Sequence, residues 1–197
     1  MSKGHTSGSS TIVILMGVCG CGKSTVGQEL AKKLGWKFLE ADDFHPLENK
    51  LKMSQGVALN DEDRAPWLKA MNEALRKYSG NDNVVMACSA LQRIYREALT
   101  QELQVDSPKA GAKTQGGSFN KSNVLFVHLE SSIETISRRL GQRQGHFMPT
   151  SLIESQFETL EPPGEDEFHF VVNSDNVFEY VVSEIYTLIT KEVPLSS

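Results

Sequence analysis

A chain of 197 residues with 39% hydrophobic and 23% charged side chains has enough sequence for one α/β domain with a full core. Its net charge of −5 excludes a global positive field for nucleic acid or an anionic membrane, so an anionic ligand requires a local basic pocket. Three cysteines without metal-ligand spacing, no signal-like apolar stretch and no run long enough to span a bilayer set the expectation of a reduced, cytoplasmic setting.

Residues 1–10 are polar and rich in Ser and Gly and are expected to be a disordered tail, with a single domain over 11–192. Residues 12–16 are apolar and rich in β-branched side chains, which predicts a buried strand. Gly17, Val18, Cys19, Gly20, Cys21, Gly22, Lys23 and Ser24 follow at once in the pattern G-x-x-x-x-G-K-[ST]. A helix is predicted next, with Val26, Leu30 and Leu34 at core-facing spacing and Gly35 placed to end it. Strand, glycine loop and helix form the setting that binds a nucleoside triphosphate. Successive N–H groups converge on phosphate, and the helix N-terminus adds about half a positive charge. Lys23 reaches the β- and γ-phosphates, and the Ser24 hydroxyl takes one Mg²⁺ position. The nucleotide-binding set is therefore Gly17 through Ser24 together with Thr25.

Residues 36–40 predict a second strand, ending in Ala41-Asp42-Asp43-Phe44-His45-Pro46; a short helix over 46–54 follows, closed by Gly56. Asn60 to Asp63 offer helix caps, Pro66 fits the first turn, and Trp67, Leu68, Met71, Leu75 and Tyr78 form an apolar stripe. Residues 83–88 predict a third strand leading through Ser89-Ala90-Leu91 into a helix to about residue 103. Residues 104–122 look like a loose surface insertion. A fourth strand is predicted at 123–129, with Ser131 and Glu134 as a capping box for the helix carrying Ile133, Ile136 and Leu140. After a loop at 141–150, Ser151 and Glu154 make a second box for a helix that Pro162-Pro163-Gly164 stops. Residues 168–172 predict the fifth strand, and Val177, Val181, Val182, Ile185, Leu188 and Ile189 mark the last helix. Five strands alternating with helices predict a three-layer α/β/α sandwich on a five-stranded parallel sheet, with ligands beyond the carboxyl ends of the strands.

The polar clusters fall at those ends. Phosphoryl transfer to a hydroxyl needs charge neutralisation, in-line positioning and help with the acceptor proton. Asp42 sits where a carboxylate accepts that proton or holds hydrated Mg²⁺, while Asp43 reads equally as a turn or cap residue beside Pro46. Arg138, Arg139, Arg143 and His146 form the densest basic group, fitted either to a loop that closes over phosphates or to a solvated helix end. The adjacent Arg138 and Arg139 point in different directions, so one of them serves. His128 and His169 lie in apolar strands and read as core or edge residues. Arg64, Tyr95 and Arg96 stand as substrate contacts or as ion pairs; spacing alone does not separate the two. No aspartate ends the third strand, which leaves Mg²⁺ to Ser24, phosphates, waters and Asp42. Cys19 and Cys21, leading to a helix N-terminus, are either reactive thiols that ATP protects or two small buried side chains.

Four segments, MGVCGCGKSTVG, FLEADDFHPLENKLKMSQGVALNDEDRAPWL, ACSALQRIYREAL and GHFMPTSLIESQFETLEPP, together resemble the gluconokinase family, over residues 12–172 and interrupted by 104–122. The resemblance implies a fold similar to shikimate and nucleoside monophosphate kinases, with a lid near 142–149. It implies the transfer of the ATP γ-phosphate to the 6-hydroxyl of D-gluconate, with Mg²⁺. It supports Asp42 over Asp43 on the acceptor side and puts His45, Lys52, Asp63, Arg64 and Tyr95 near the sugar acid. His146 and Gln156 join that substrate set through the GHF and SQF segments. Arg139 matches a nucleotide-side arginine and Arg143 a catalytic lid arginine alongside Lys23 and Asp42. The expected partners are the sugar acid and a second copy in a homodimer, with neither nucleic acid nor membrane. Two departures stand out: the loop carries Cys19 and Cys21 where the family has small residues, and 104–122 is long. The competing readings are another small-molecule kinase, such as a shikimate-type enzyme, and a non-catalytic nucleotide switch that needs neither lid arginines nor Asp42.

Overall fold

The computed structural model describes residues 10–79, 82–103, 124–142 and 150–192. Five parallel strands form one sheet in the order β2-β3-β1-β4-β5. β1 (Ile12–Met16) lies at its centre, between β3 (Val84–Ala87) and β4 (Val124–Glu130). β2 (Lys37–Glu40) flanks β3 and β5 (His169–Asn173) flanks β4. Register pairs Leu15 with Ala87 and Met16 with His128, so β1 and β3 end within one residue of each other while β4 runs two residues further. The chain leaves β1 for β2 on one side and later returns to β4 on the other, which opens a crevice at the carboxyl end of β1.

Side-chain alternation along the strands makes two cores. On one face Val13, Leu15, Val85 and Val127 pack with α1 (Lys23–Leu34) and α7 (Phe178–Glu192), through Val26, Leu30, Val181 and Ile185. On the other, Ile12, Ile14, Met86 and Phe126 pack with Trp67, Met71 and Leu75 of α3 (Asp61–Tyr78) and Leu99 of α4 (Arg93–Thr100). All five residues of β1 are buried, and that position fixes the loop that follows it. α1 packs so closely on β2 that a Cβ at Gly27 would lie 2.6 Å from the Phe38 ring.

The predicted order of elements holds, and several boundaries move. A 3₁₀ turn, Ala41–Phe44, fills what reads as a loop after β2. Pro46 is the cap of α2 (Leu47–Ser54) and stands just before its first helical residue. α3 starts at Asp61: the Asn60 side chain accepts the Asp63 N–H at 2.8 Å, and the Asp63 carboxylate accepts the Asn60 N–H at 3.2 Å. Pro66 consequently lies in the second turn, where it removes one helical N–H. α4 begins only at Arg93 and ends at Thr100, because Gln92 is extended and Ala90 takes a φ of +43°.

The cap of α5 (Ile133–Gly141) is Ser132, whose hydroxyl accepts the Thr135 N–H at 3.2 Å. Ser131, assigned that role from sequence, instead donates to the Asp175 carboxylate, which draws it away from the helix. α6 (Thr150–Thr159) starts one residue before Ser151, so Ser151 lies within the helix and is not its N-cap residue. Val177 precedes α7 and is exposed, and Ser10, assigned to the tail, is buried. The insertion at 104–122, the rest of the tail and the expected lid beyond Gln142 lie outside the described residues.

Candidate active site

The loop of residues 17–24 turns back on itself at the end of β1. Gly17 takes a φ of +138°, and a Cβ there would sit 2.8 Å from Leu129 O, so glycine is required on both counts. The Gly17 N–H donates to Ser89 O at 3.2 Å, tying the loop to the end of β3. Gly22, also in the left-handed region, is the N-cap of α1 without a side-chain hydrogen bond. Lys23 folds over the loop: its Nζ donates to Gly17 O and Val18 O, both at 2.9 Å. Cys21 is buried and Cys19 half-buried, which fits two small packed side chains.

Residues far along the chain close on this loop. Arg139, from the last turn of α5, donates to Ser174 O at 2.6 Å and to Cys21 O at 3.5 Å, bridging the β5–α7 connection to the loop. Arg138 is exposed beside it, so Arg139 is the one of the pair that faces inward. Gln156 of α6 accepts the Cys19 N–H on Oε1 at 2.7 Å. Gln156 is thus placed on the phosphate loop, whereas the family resemblance implies a sugar-acid contact. A cavity of about 450 Å³ opens next to the loop, lined by Gly20, Gly22, Thr25, Arg139, Ser174, Asn176 and Phe178 among others. The Ser174 hydroxyl is the one buried side-chain polar atom without a hydrogen bond among the described residues.

Glu40, at the end of β2, was not singled out from sequence. It is half-buried and accepts a hydrogen bond from Ser24. Burial pushes its carboxyl above the ordinary range and Asp42 and Asp43 add to this, while Ser24 and Lys23 oppose it. The signal was a carboxylate at a strand end, two residues before Asp42. Asp42 itself is exposed on the 3₁₀ turn and is electrostatically coupled to Glu40, His45 and Cys88. Lys23 also acts on Glu40 and Cys88, and the Ser24–Glu40 hydrogen bond joins the phosphate loop to the strand end that precedes Asp42. The Cys88 thiol is pushed up to about 12 by burial and stays protonated.

A second cluster lies beside Asp42. His45 stacks on Trp67 with ring centroids 4.3 Å apart, and Trp67 Nε1 donates to Ala41 O at 2.8 Å. Burial holds the His45 imidazole below its usual pKa, against the pull of Asp42. Buried Asn49 donates to Asp63 O at 2.7 Å and lies 3.4 Å from His45 Nδ1. Lys52 pairs with Asp63 and holds that carboxyl below its ordinary range. Arg64 donates to the Tyr95 hydroxyl at 3.2 Å, which donates in turn to Asp61 at 2.7 Å. His45, Lys52, Asp63, Arg64 and Tyr95 are therefore joined through α3. Arg96 does not belong with them: it is 1% exposed, paired with both oxygens of Glu167 and bonded to Ala90 O and Glu161 O. His128 is buried in β4, and His169 bonds the Glu167 carbonyl at 2.8 Å. Arg143 and His146 lie outside the described residues.

The model of the shikimate kinase family matches residues 19–186. A relative from Xenopus tropicalis described as a probable gluconokinase is 50% identical, over 88% of this chain and 90% of its own. The thermoresistant gluconokinase of Escherichia coli is 38% identical, over 91% and 94% of the two chains. The crystal structure of a gluconokinase from Sinorhizobium meliloti superposes with a TM-score of 0.74 at 37% identity, covering 93% of each chain. Together with a phosphate loop on the central strand, these likenesses define a P-loop small-molecule kinase, an ATP-dependent phosphotransferase acting on an alcohol group. Within that class, the chain belongs to the gluconokinase family. Among the described residues no helix is long and apolar enough to cross a membrane.

Proposed function

We propose that the chain transfers the γ-phosphoryl group of ATP to the 6-hydroxyl of D-gluconate, giving 6-phospho-D-gluconate and ADP. The observation that supports this reading is that Ser24, next to Lys23, donates to Glu40 at the end of β2, two residues before Asp42, so the phosphate loop adjoins the turn that carries Asp42. Gluconate bears a carboxylate and several hydroxyls. Lys52, Arg64, His45 and Tyr95 supply cationic and two-way hydrogen-bonding groups for them.

Lys23 and the loop amides hold the phosphates in line with the acceptor, and Asp42 takes the proton of the attacking hydroxyl. Arg139 anchors the nucleotide side, and the cavity bounded by Thr25, Ser174 and Asn176 takes the base and ribose. Arg143 is assigned the neutralisation of charge on the transferred group. His146 is assigned to the sugar acid. Among the described residues no group of three or more His, Cys, Asp or Glu can hold a metal alone. The oxygen donors beside the loop, the Ser24 hydroxyl bonded to Glu40 and the Asp42 carboxylate, fit Mg²⁺, which draws most ligands from phosphates and water; Ser24 would bind it directly, with Glu40 and Asp42 holding its waters. When bound, Mg²⁺ offsets phosphate charge. Three free thiols suit a reducing, cytoplasmic compartment. The test is ADP release from ATP and Mg²⁺ with a panel of sugar acids. Turnover with gluconate is expected; turnover with shikimate and none with gluconate would overturn the assignment.

A further inference from the structure

The Val18–Cys19 peptide unit is held from both sides. Its carbonyl oxygen accepts a hydrogen bond from Lys23 Nζ at 2.9 Å, and its N–H donates to Gln156 Oε1 at 2.7 Å. The two partners come from distant parts of the chain: Lys23 opens α1, and Gln156 stands in the second half of α6, 137 residues beyond Cys19. A lysine ammonium has three N–H donors. Gly17 O and Val18 O take two of them, and the weak acceptor Cys21 Sγ lies 3.9 Å away. Two fixed bonds leave one direction for the third proton. The orientation of the Val18 carbonyl therefore sets where Lys23 offers that proton to a phosphate.

A peptide plane bonded at one end rocks about its flanking dihedrals. Bonds at both ends oppose that rotation and polarise each other. We propose that Gln156 is a positioning residue for the phosphate clamp, acting through the Val18–Cys19 peptide to fix the ammonium of Lys23 for the triphosphate. The proposal rests on the assignment of residues 17–24 to the triphosphate, and it moves Gln156 from the acceptor side to the nucleotide side. It also gives the half-buried Cys19 position a reason of its own: what matters there is the main-chain N–H, which any small side chain leaves free to reach Gln156.

The test is the affinity of the full chain for Mg·ATP, measured by titration calorimetry with no acceptor sugar, so that the identity of the acceptor has no influence. Gln156→Met fills a similar volume without an acceptor oxygen. It is expected to weaken ATP binding about fivefold to tenfold, the size of one hydrogen bond. The melting temperature should stay within about 2 °C, since the side chain is part-exposed. In a Lys23→Met background the same change should cost less than about twofold, because the group it acts through is gone. An equal loss in both backgrounds would overturn the proposal. So would unchanged ATP affinity with a raised KM for the sugar acid, which would return Gln156 to the acceptor side. A wild-type chain that binds no ATP would overturn the loop assignment and the proposal with it. ATP binding without gluconate turnover would instead remove the acceptor assignment and leave the role of Gln156 open to the same calorimetric test.

Discussion

The two halves of the crevice are built by different means. On the side of the phosphate loop the main chain sets the geometry: glycines bend the loop and its carbonyls hold Lys23. On the proposed acceptor side, side chains from the end of the 3₁₀ turn and from α2, α3 and α4 hold one another, as in His45 on Trp67, Lys52 with Asp63, and Arg64 with Tyr95 and Asp61. A main-chain cradle fits a group that every nucleoside triphosphate carries, and eight contiguous residues specify it. In the proposed reading a side-chain network discriminates among acceptors, and it is assembled from positions 45 to 95.

The largest separation between the halves is expected from Lys23→Ala, which removes the phosphate clamp. Steady-state kinetics should show kcat/KM for ATP falling on the order of a hundredfold to a thousandfold, with the acceptor KM nearly unchanged. Asp42→Asn should lower kcat about a hundredfold, the low end for a general base because the transition state is loose. ATP affinity should hold; a parallel loss of it would place Asp42 on the metal side.

Trp67→Phe keeps a ring against His45 but leaves the Ala41 carbonyl without its donor. Thermal denaturation should show a loss of about 1–2 kcal/mol, and the acceptor KM should rise a few-fold while that of ATP stays put. The smallest effect is expected from pH. Burial lowers the folded-state pKa of both His45 and His128, so the unfolded chain binds more protons just below its own value of about 6.5. Stability should therefore be complete above that pH and decline as the pH falls toward the folded values. His128→Leu should flatten the melting-temperature profile between about pH 7 and 5.5.

The loop, the order of elements and the parallel sheet were legible because each is written in contiguous residues. A glycine pattern, an apolar run and a helical stripe need no knowledge of what lies across the fold. Helix starts were less so. Two serines in a row, Ser131 and Ser132, are equal candidates by type, and only the pull of Asp175 on the first decides the second. The same holds for Gln156 and Cys19, whose bond spans 137 positions and leaves no local trace. Glu40 was visible as a strand-end acid but was overshadowed by the pair that follows it. Arg96 shows the converse: its sequence setting admits a ligand contact, yet the fold spends it on Glu167.

That buried pair has a mechanical side. Arg96 grips the Glu161 carbonyl, the Glu161 N–H bonds Leu91 O at 2.8 Å, and the Glu161 carboxylate accepts the Arg93 N–H at 2.7 Å. The exit of α6 is thus fastened to the start of α4 by three separate bonds, so a tilt of the helix would pivot at that end. Its 10 residues span about 15 Å. A tilt of roughly 20° about the fulcrum would carry Thr150 about 5 Å but Gln156 only about 2 Å. A contact placed close to a fulcrum moves least, and that is where the phosphate loop meets this helix.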